Sequence, residues 1–125
     1  MEDILKAISD SKSLDLFSSI AQGNGQSETL KETKGLSKKQ YYLRTRQLLK
    51  TGVIKRLKGR FSLTSFGVIV YHAQLIVEKG MNNHWKLKAI DSIQSSAEIG
   101  EHERMKLIKT IIDDSGIERI LVAQR

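Results

Sequence analysis

Ten cationic side chains fall between Thr33 and Val77 with no Asp or Glu among them: Lys34, Lys38, Lys39, Arg44, Arg46, Lys50, Lys55, Arg56, Lys58 and Arg60. Cations at that density, without carboxylates to pair with, suit charge-assisted hydrogen bonds to phosphate. The other 80 residues hold 11 basic and 14 acidic residues, so the overall charge of +7 arises in this one stretch. Like charges crowded on one surface repel and add nothing to stability. A solvated cationic face is the plain alternative; a polyanionic partner gives the segregation a purpose.

Residue sets that would do catalysis are poorly represented. The chain has no Cys, which excludes a disulfide framework, a thiolate zinc site and a cysteine nucleophile. His72, His84 and His102 are scattered and suggest no metal cage. The Gly23-Asn24-Gly25 sequence lacks the lysine pattern of a phosphate loop and follows no strand. Asp113-Asp114 reads as an acidic helix end without partner carboxylates at acid–base spacing, and the serines have no nucleophile-elbow context. No enzymatic activity, metal or cofactor is expected. His84 or Trp85 in a small apolar pocket could act as a sensor, but the sequence names no effector.

The elements that must position the cations are mostly helical, since apolar residues recur at three and four residues. Ile4, Leu5 and Ile8 suggest a short opening helix. Capping side chains at 10–13 precede a helix over 11–22 with Leu14, Phe17, Ile20 and Ala21. Residues 23–27 form a loop. Ser27 caps a second short helix through Thr33, closed by a left-handed Gly35. Ser37 and Gln40 have capping-box spacing, so a helix runs over 38–51 and stops at Gly52. Its inner face is Tyr41, Thr45, Leu48 and Leu49, with Lys39, Leu43, Arg46, Gln47 and Lys50 opposite. Residues 53–63 then read as two short strands around Lys58-Gly59, with Ile54, Phe61 and Leu63 inward. Leu57 breaks the alternation, which predicts a bulge or an apolar turn contact. Thr64 caps a helix from Ser65 to about Lys79 that Gly80 ends. Asn82 or Asn83 caps another carrying Trp85, Ala89, Ile90 and Ile93. Residues 94–100 are read as a loop, and 101–113 as an amphipathic helix with Met105, Ile108, Ile111 and Ile112 on one side. Ser115-Gly116 breaks it, and a last helical turn holds Ile117, Ile120 and Leu121.

Helix, helix, tight turn, helix, hairpin, helix is an order with relatives. Gly35-Leu36-Ser37-Lys38-Lys39-Gln40-Tyr41 resembles the turn and recognition-helix start of the winged helix-turn-helix family. Leu48-Leu49-Lys50-Thr51-Gly52-Val53-Ile54 resembles the end of that helix. Arg60-Phe61-Ser62-Leu63-Thr64-Ser65-Phe66-Gly67 resembles the second wing strand and the start of the helix after it. The resemblance covers about residues 11–79, and the whole chain, with its tail from near Asn83, is similar to archaeal regulators of this class. It implies a mainly α fold with a small β-hairpin wing and a helical extension. The expected division is a DNA-binding domain over 1–80 and a tail over 81–125 for dimerisation or signal input.

The resemblance puts the exposed side of helix 38–51 in the major groove, where Arg and Lys read guanine and Gln reads adenine. The base-reading candidates are Lys39, Gln40, Leu43 and Arg46, flanked by Tyr42. Leu43 could touch a thymine methyl or be partly covered by a neighbouring helix; Tyr41 belongs to the core stripe. Lys38 and Lys39 oppose the dipole of the first turn, a local cost that phosphate at the helix start would offset. The alternative is that Ser37 and Gln40 do the capping while the lysines point at water. Phosphate or wing candidates are Lys34, Ser37, Lys38, Arg44, Lys50, Lys55, Arg56, Lys58 and Arg60. Arg44 could instead cover the apolar stripe with its stem. The wing, 55–61, would lie on backbone or minor groove, Lys58 on phosphate and Arg60 sensing a narrow groove. A basic edge strand could also simply deter aggregation.

Residues 66–77 are apolar nearly all round, which predicts cover on at least two sides. Met105, Ile108, Ile112, Ile117 and Leu121 form a second apolar stripe. It suggests a homodimer with recognition helices about one DNA turn apart, against a tail folded back on its own domain. The acidic start, 1–11, is no secretory signal, and the 12-residue run over 66–77 is shorter than the roughly 20 residues of a membrane span. A cytoplasmic protein without membrane contact is expected. The leading expectation is a sequence-specific regulator of double-stranded DNA. The alternatives are a non-specific chromatin or RNA binder, and a winged-helix protein-interaction adaptor.

Overall fold

Side-chain caps open four of the helices in the computed structural model, which describes residues 1–26, 35–96 and 99–123. Helix accounts for 72% of these, with one two-stranded antiparallel hairpin. The expected helix over Ser27 to Thr33, and Lys34 after it, lie outside the described residues. The chain separates into two compact units, Met1–His72 and Ala73–Arg125. The sequence reading put the division at residue 80.

In the first unit, α1 (Glu2–Ala7) opens with Glu2 and Asp3, favourable beside the positive end of the helix dipole. Its buried residue is Ala7, while Leu5 is 55% exposed. Leu5 was expected on the inner stripe, but it sits about 100° around the helix from Ile4, whereas Ala7 and Ile8 share the Ile4 face. In α2 (Ser11–Ala21), the Asp10 carboxylate accepts from the Ser13 amide at 2.7 Å. Leu16, Phe17 and Ile20 are buried; Leu16 had no place in the expected stripe. Gly35 has φ +59 as expected, and Leu36 is buried after it.

Helix α3 (Lys38–Thr51) has the expected bounds. The Ser37 hydroxyl accepts from the Gln40 amide at 3.2 Å, and the Gln40 side-chain oxygen accepts from the Ser37 amide at 3.3 Å. Tyr41, Thr45 and Leu48 are buried, and the Thr45 hydroxyl donates to the Tyr41 carbonyl at 2.9 Å. Leu49 is not inner as expected; one residue past Leu48, it has turned outward. Gly52 ends the helix at φ +82, a conformation that costs a side-chain-bearing residue energy.

Strands β1 (Ile54–Leu57) and β2 (Arg60–Leu63) pair antiparallel, Ile54 opposite Leu63 and Leu57 opposite Arg60. Lys58 (φ +53) and Gly59 (φ +73) make a two-residue turn whose twist matches that of the strands. Such a turn keeps the ladder regular, so of the bulge or apolar turn contact expected at Leu57 the bulge is absent, and Leu57 is 67% exposed near the tip. The loop expected over 23–27 also pairs. Gln26 bridges Arg60, and the Phe61 amide donates to the Gly25 carbonyl at 2.7 Å.

Helix α4 (Ser65–Asn82) begins where the Thr64 hydroxyl accepts from the Gly67 amide at 2.9 Å. Gly80 does not end it. A single helical glycine costs only about 1 kcal/mol, and the Asn83 side chain instead donates to the Lys79 carbonyl at 2.8 Å. The cover expected for its apolar residues is incomplete: Ile69 is 67% and Val77 63% exposed.

In the second unit, α5 (His84–Ser96), α6 (Glu101–Ile111) and α7 (Ser115–Ala123) surround Ile90, Ile108, Ile112 and Ile117. On α5 only Ile90 of the expected stripe is buried; Leu87 packs beside it and Trp85 stands 78% exposed. The helix takes in residues 94–96 of the expected loop. The break after α6 comes at 112–114, because the Asp114 carboxylate accepts from the Gly116 and Ile117 amides at 2.9 and 3.0 Å. Ser115-Gly116 therefore opens α7. The Asp114 pKa lies below its ordinary value, first through the Ile117 amide and then through Lys79. No helix among the described residues is long and apolar enough to cross a membrane.

Asp10 gives the first unit an acid-sensitive fastening. The Arg44 guanidinium beside it, then the Ser13 amide, lower its pKa from 3.8 to about 2. A depressed carboxylate contributes stability that is whole above the unfolded pKa and lost as pH falls through the folded one. The urea midpoint of the wild type is therefore expected to exceed that of Asp10→Asn at pH 7, to approach it between pH 4 and pH 2, the window between those two pKa values, and to meet it only below both. A gap as large at pH 2 as at pH 7 would contradict the ionic origin.

Candidate nucleic-acid interface

Helix α3 and the hairpin belong to the same compact unit and carry nine of the ten cations of the acid-free stretch; the tenth is Lys34. Lys39, Leu43, Arg46 and Lys50 repeat at four, three and four residues, which is one helical face. All four are exposed, as are Lys38 and Tyr42 beside them. Leu43 is 56% and Tyr42 54% exposed. The stripe opens at an α-helix start, where unpaired amides favour anions.

Three of the sequence-derived candidates have partners of their own. Arg44 faces the other way: it pairs with Asp10 and donates to the Ser13 hydroxyl at 2.8 Å, with its side chain only 20% exposed. That ties α3 to the start of α2 and removes Arg44 from the phosphate contacts. The side-chain oxygen of Gln40 is held in the capping box, as is the Ser37 hydroxyl. A two-point grip on adenine needs both ends of an amide, so Gln40 can offer only its NH2 group while the box is closed.

The hairpin register sorts its side chains. Lys55 and Ser62 share one face with Leu57 and Arg60; Arg56 and Phe61 share the other with Ile54 and Leu63. All four cations are exposed. Arg60 donates to the Gly23 carbonyl at 3.2 Å, a bond that entering a minor groove would break. Lys58 stands at the tip. The Arg56 guanidinium lies 5.6 Å from the centre of the Phe61 ring, within cation–π range.

Between α3 and the hairpin is a cleft of about 390 Å³ lined by Tyr41, Tyr42, Thr45, Arg46, Leu49, Arg56 and Phe61. Its helical wall follows from the spacing 41, 42, 45, 46 and 49, a signal present in the sequence; the Phe61–Arg56 wall needed the strand register. Trp85, considered as a pocket sensor, lines none of the clefts described.

The stripe read as a dimer face is occupied differently. Ile108, Ile112 and Ile117 are buried in the core of the second unit, with Leu121 packed against it and Met105 partly buried. Ile108, Ile112 and Ile117, closed off by their own unit, are not free to face a second copy. Among the described residues no group of three His, Cys, Asp or Glu could hold a metal ion. Comparison with protein-family models, curated proteins and solved structures returns no match, so the reading of this surface rests on its own residues.

Proposed function

We propose that the chain is a sequence-specific, double-stranded DNA-binding regulator of the winged helix-turn-helix type. In this reading α3 is the recognition helix in the major groove and the hairpin is the wing on backbone or minor groove. The observation that carries it is the Lys39–Leu43–Arg46–Lys50 stripe, exposed on a capped helix in the same unit as a basic hairpin. Lys39 and Arg46 read base edges, Leu43 meets a thymine methyl, and Lys38, Lys50, Lys55 and Lys58 hold phosphates. The protein acts by occupying DNA, without catalysis or a cofactor, in the cytoplasm and as a homodimer. Because the tail stripe is internal, the dimer needs another surface, and molecular mass in solution tests it.

Selection on random duplexes tests the whole reading. An enriched inverted repeat supports it; binding without enrichment favours the non-specific alternative, and failure to bind any duplex at low salt defeats both. On the selected site Arg46→Ala is expected to cost about 1–3 kcal/mol and to relax the preference over a scrambled site. Lys58→Ala should weaken both sites alike. Fluorescence anisotropy distinguishes the two, and equal losses on both sites for Arg46→Ala would end its base-reading role.

A further inference from the structure

We infer that the cleft between α3 and the hairpin binds a small planar aromatic anion, and that such a ligand competes with DNA. The competition rests on the proposed function; the site itself does not. The cleft of about 390 Å³ falls in the range of small-molecule sites. Its walls combine a flat ring and cations: Tyr42 offers exposed aromatic surface, Phe61 lies buried behind, and Arg46 and Arg56 offer guanidinium groups. No carboxylate lines it, and neither arginine has an ion-pair partner among the described residues.

Each feature selects part of the ligand. A ring packs against Tyr42, where offset or edge-on aromatic contacts are favourable. A carboxylate meets the planar fork of an arginine, which suits two parallel hydrogen bonds. An aliphatic acid lacks the first contact and a neutral arene the second. Arg46, Tyr42 and Arg56 are also in the proposed DNA surface, so an occupied cleft withdraws two cations from the duplex.

The test is calorimetric titration of the full chain with 2-naphthoate, beside cyclohexanecarboxylate and 2-naphthamide. Naphthoate is expected to bind about tenfold more tightly than either control. Arg56→Gln and Tyr42→Leu change exposed residues and should keep the wild-type unfolding midpoint while weakening naphthoate about fivefold or more. No heat of binding up to about 10 mM naphthoate, a range that reaches affinities weaker than millimolar, would overturn the site. So would equal binding of the controls, or unchanged affinity in both variants. Naphthoate should also displace a bound duplex from the wild type, and cyclohexanecarboxylate at the same concentration should not. Naphthoate binding without any duplex binding would keep the site and remove the DNA reading. Duplex binding without naphthoate binding would remove the site alone.

Discussion

Raising the salt concentration from about 50 to about 200 mM is expected to weaken duplex binding by about 10³ to 10⁵. Each phosphate neutralised by Lys or Arg releases a condensed counterion, so log affinity falls with log salt at a slope of about −0.9 per contact. The exposed lysines of α3 and the hairpin, none with an ion-pair partner among the described residues, are Lys38, Lys39 and Lys50 on α3, with Lys55 and Lys58 on the hairpin. A dimer using most of them neutralises about six to ten phosphates, which sets the range. Arg44 is left out because Asp10 already holds it. Lys58→Ala removes one contact per protomer and should reduce the slope of a dimer by about 2, leaving base preference intact. Anisotropy titrations at four or five salt concentrations read the slope directly. A slope near zero would mean that the acid-free stretch does not meet phosphate, whatever the chain binds.

What was legible in the sequence was local. The Ser37–Gln40 capping box, the Gly52 stop, the Lys58-Gly59 turn and the Thr64 cap each depend on residues within a few positions of one another, and α3 and both strands followed from them. Readings failed where burial depended on distant partners. Leu5 and Leu49 satisfied a loose three-or-four spacing, yet each sits one residue, about 100°, beyond the stripe that meets the core. Gly80 looked like a stop because glycine so often is one, but its cost within a helix is small enough for the flanking turns to override. The Ile108–Ile112–Ile117 stripe announced burial without naming its cover, and the cover is internal.

The candidate site divides in the same way. The exposed face of α3 was visible as a charge pattern on a helix. The loss of Arg44 was not, because its partner Asp10 lies 34 residues away and acts mainly as the cap of another helix. The cleft also escaped the sequence reading: its second wall exists only because the regular register puts Arg56 and Phe61 opposite each other. Charge density alone therefore identified the surface but overcounted the groups free to act on it.

Replacing either of two glycines in one helix, α4, by alanine is expected to move stability in opposite directions. At Gly67 a Cβ would run into the backbone carbonyl of Val53. The joint cannot easily yield: the Val53 carbonyl accepts from the Thr64 amide at 3.1 Å, Val53 is fully buried, and the Thr64 hydroxyl donates to the Gly52 carbonyl while accepting from Gly67. A clash with fixed backbone, rather than with the end of a flexible side chain, should cost about 4 kcal/mol or more, the range reserved for a few severe mechanisms. At Gly80 a Cβ meets no atom within 4 Å, and the helix continues on both sides. There alanine should stabilise by about 0.5–1 kcal/mol, by narrowing the unfolded ensemble and favouring helix. Urea unfolding of both variants tests the pair. A Gly67→Ala midpoint equal to the wild type would mean that α4 does not start against Val53, and the close joint that sets the hairpin beside α4 would have to be abandoned. A loss at Gly80→Ala would instead mean that α4 is interrupted there, as glycine at that position first suggests.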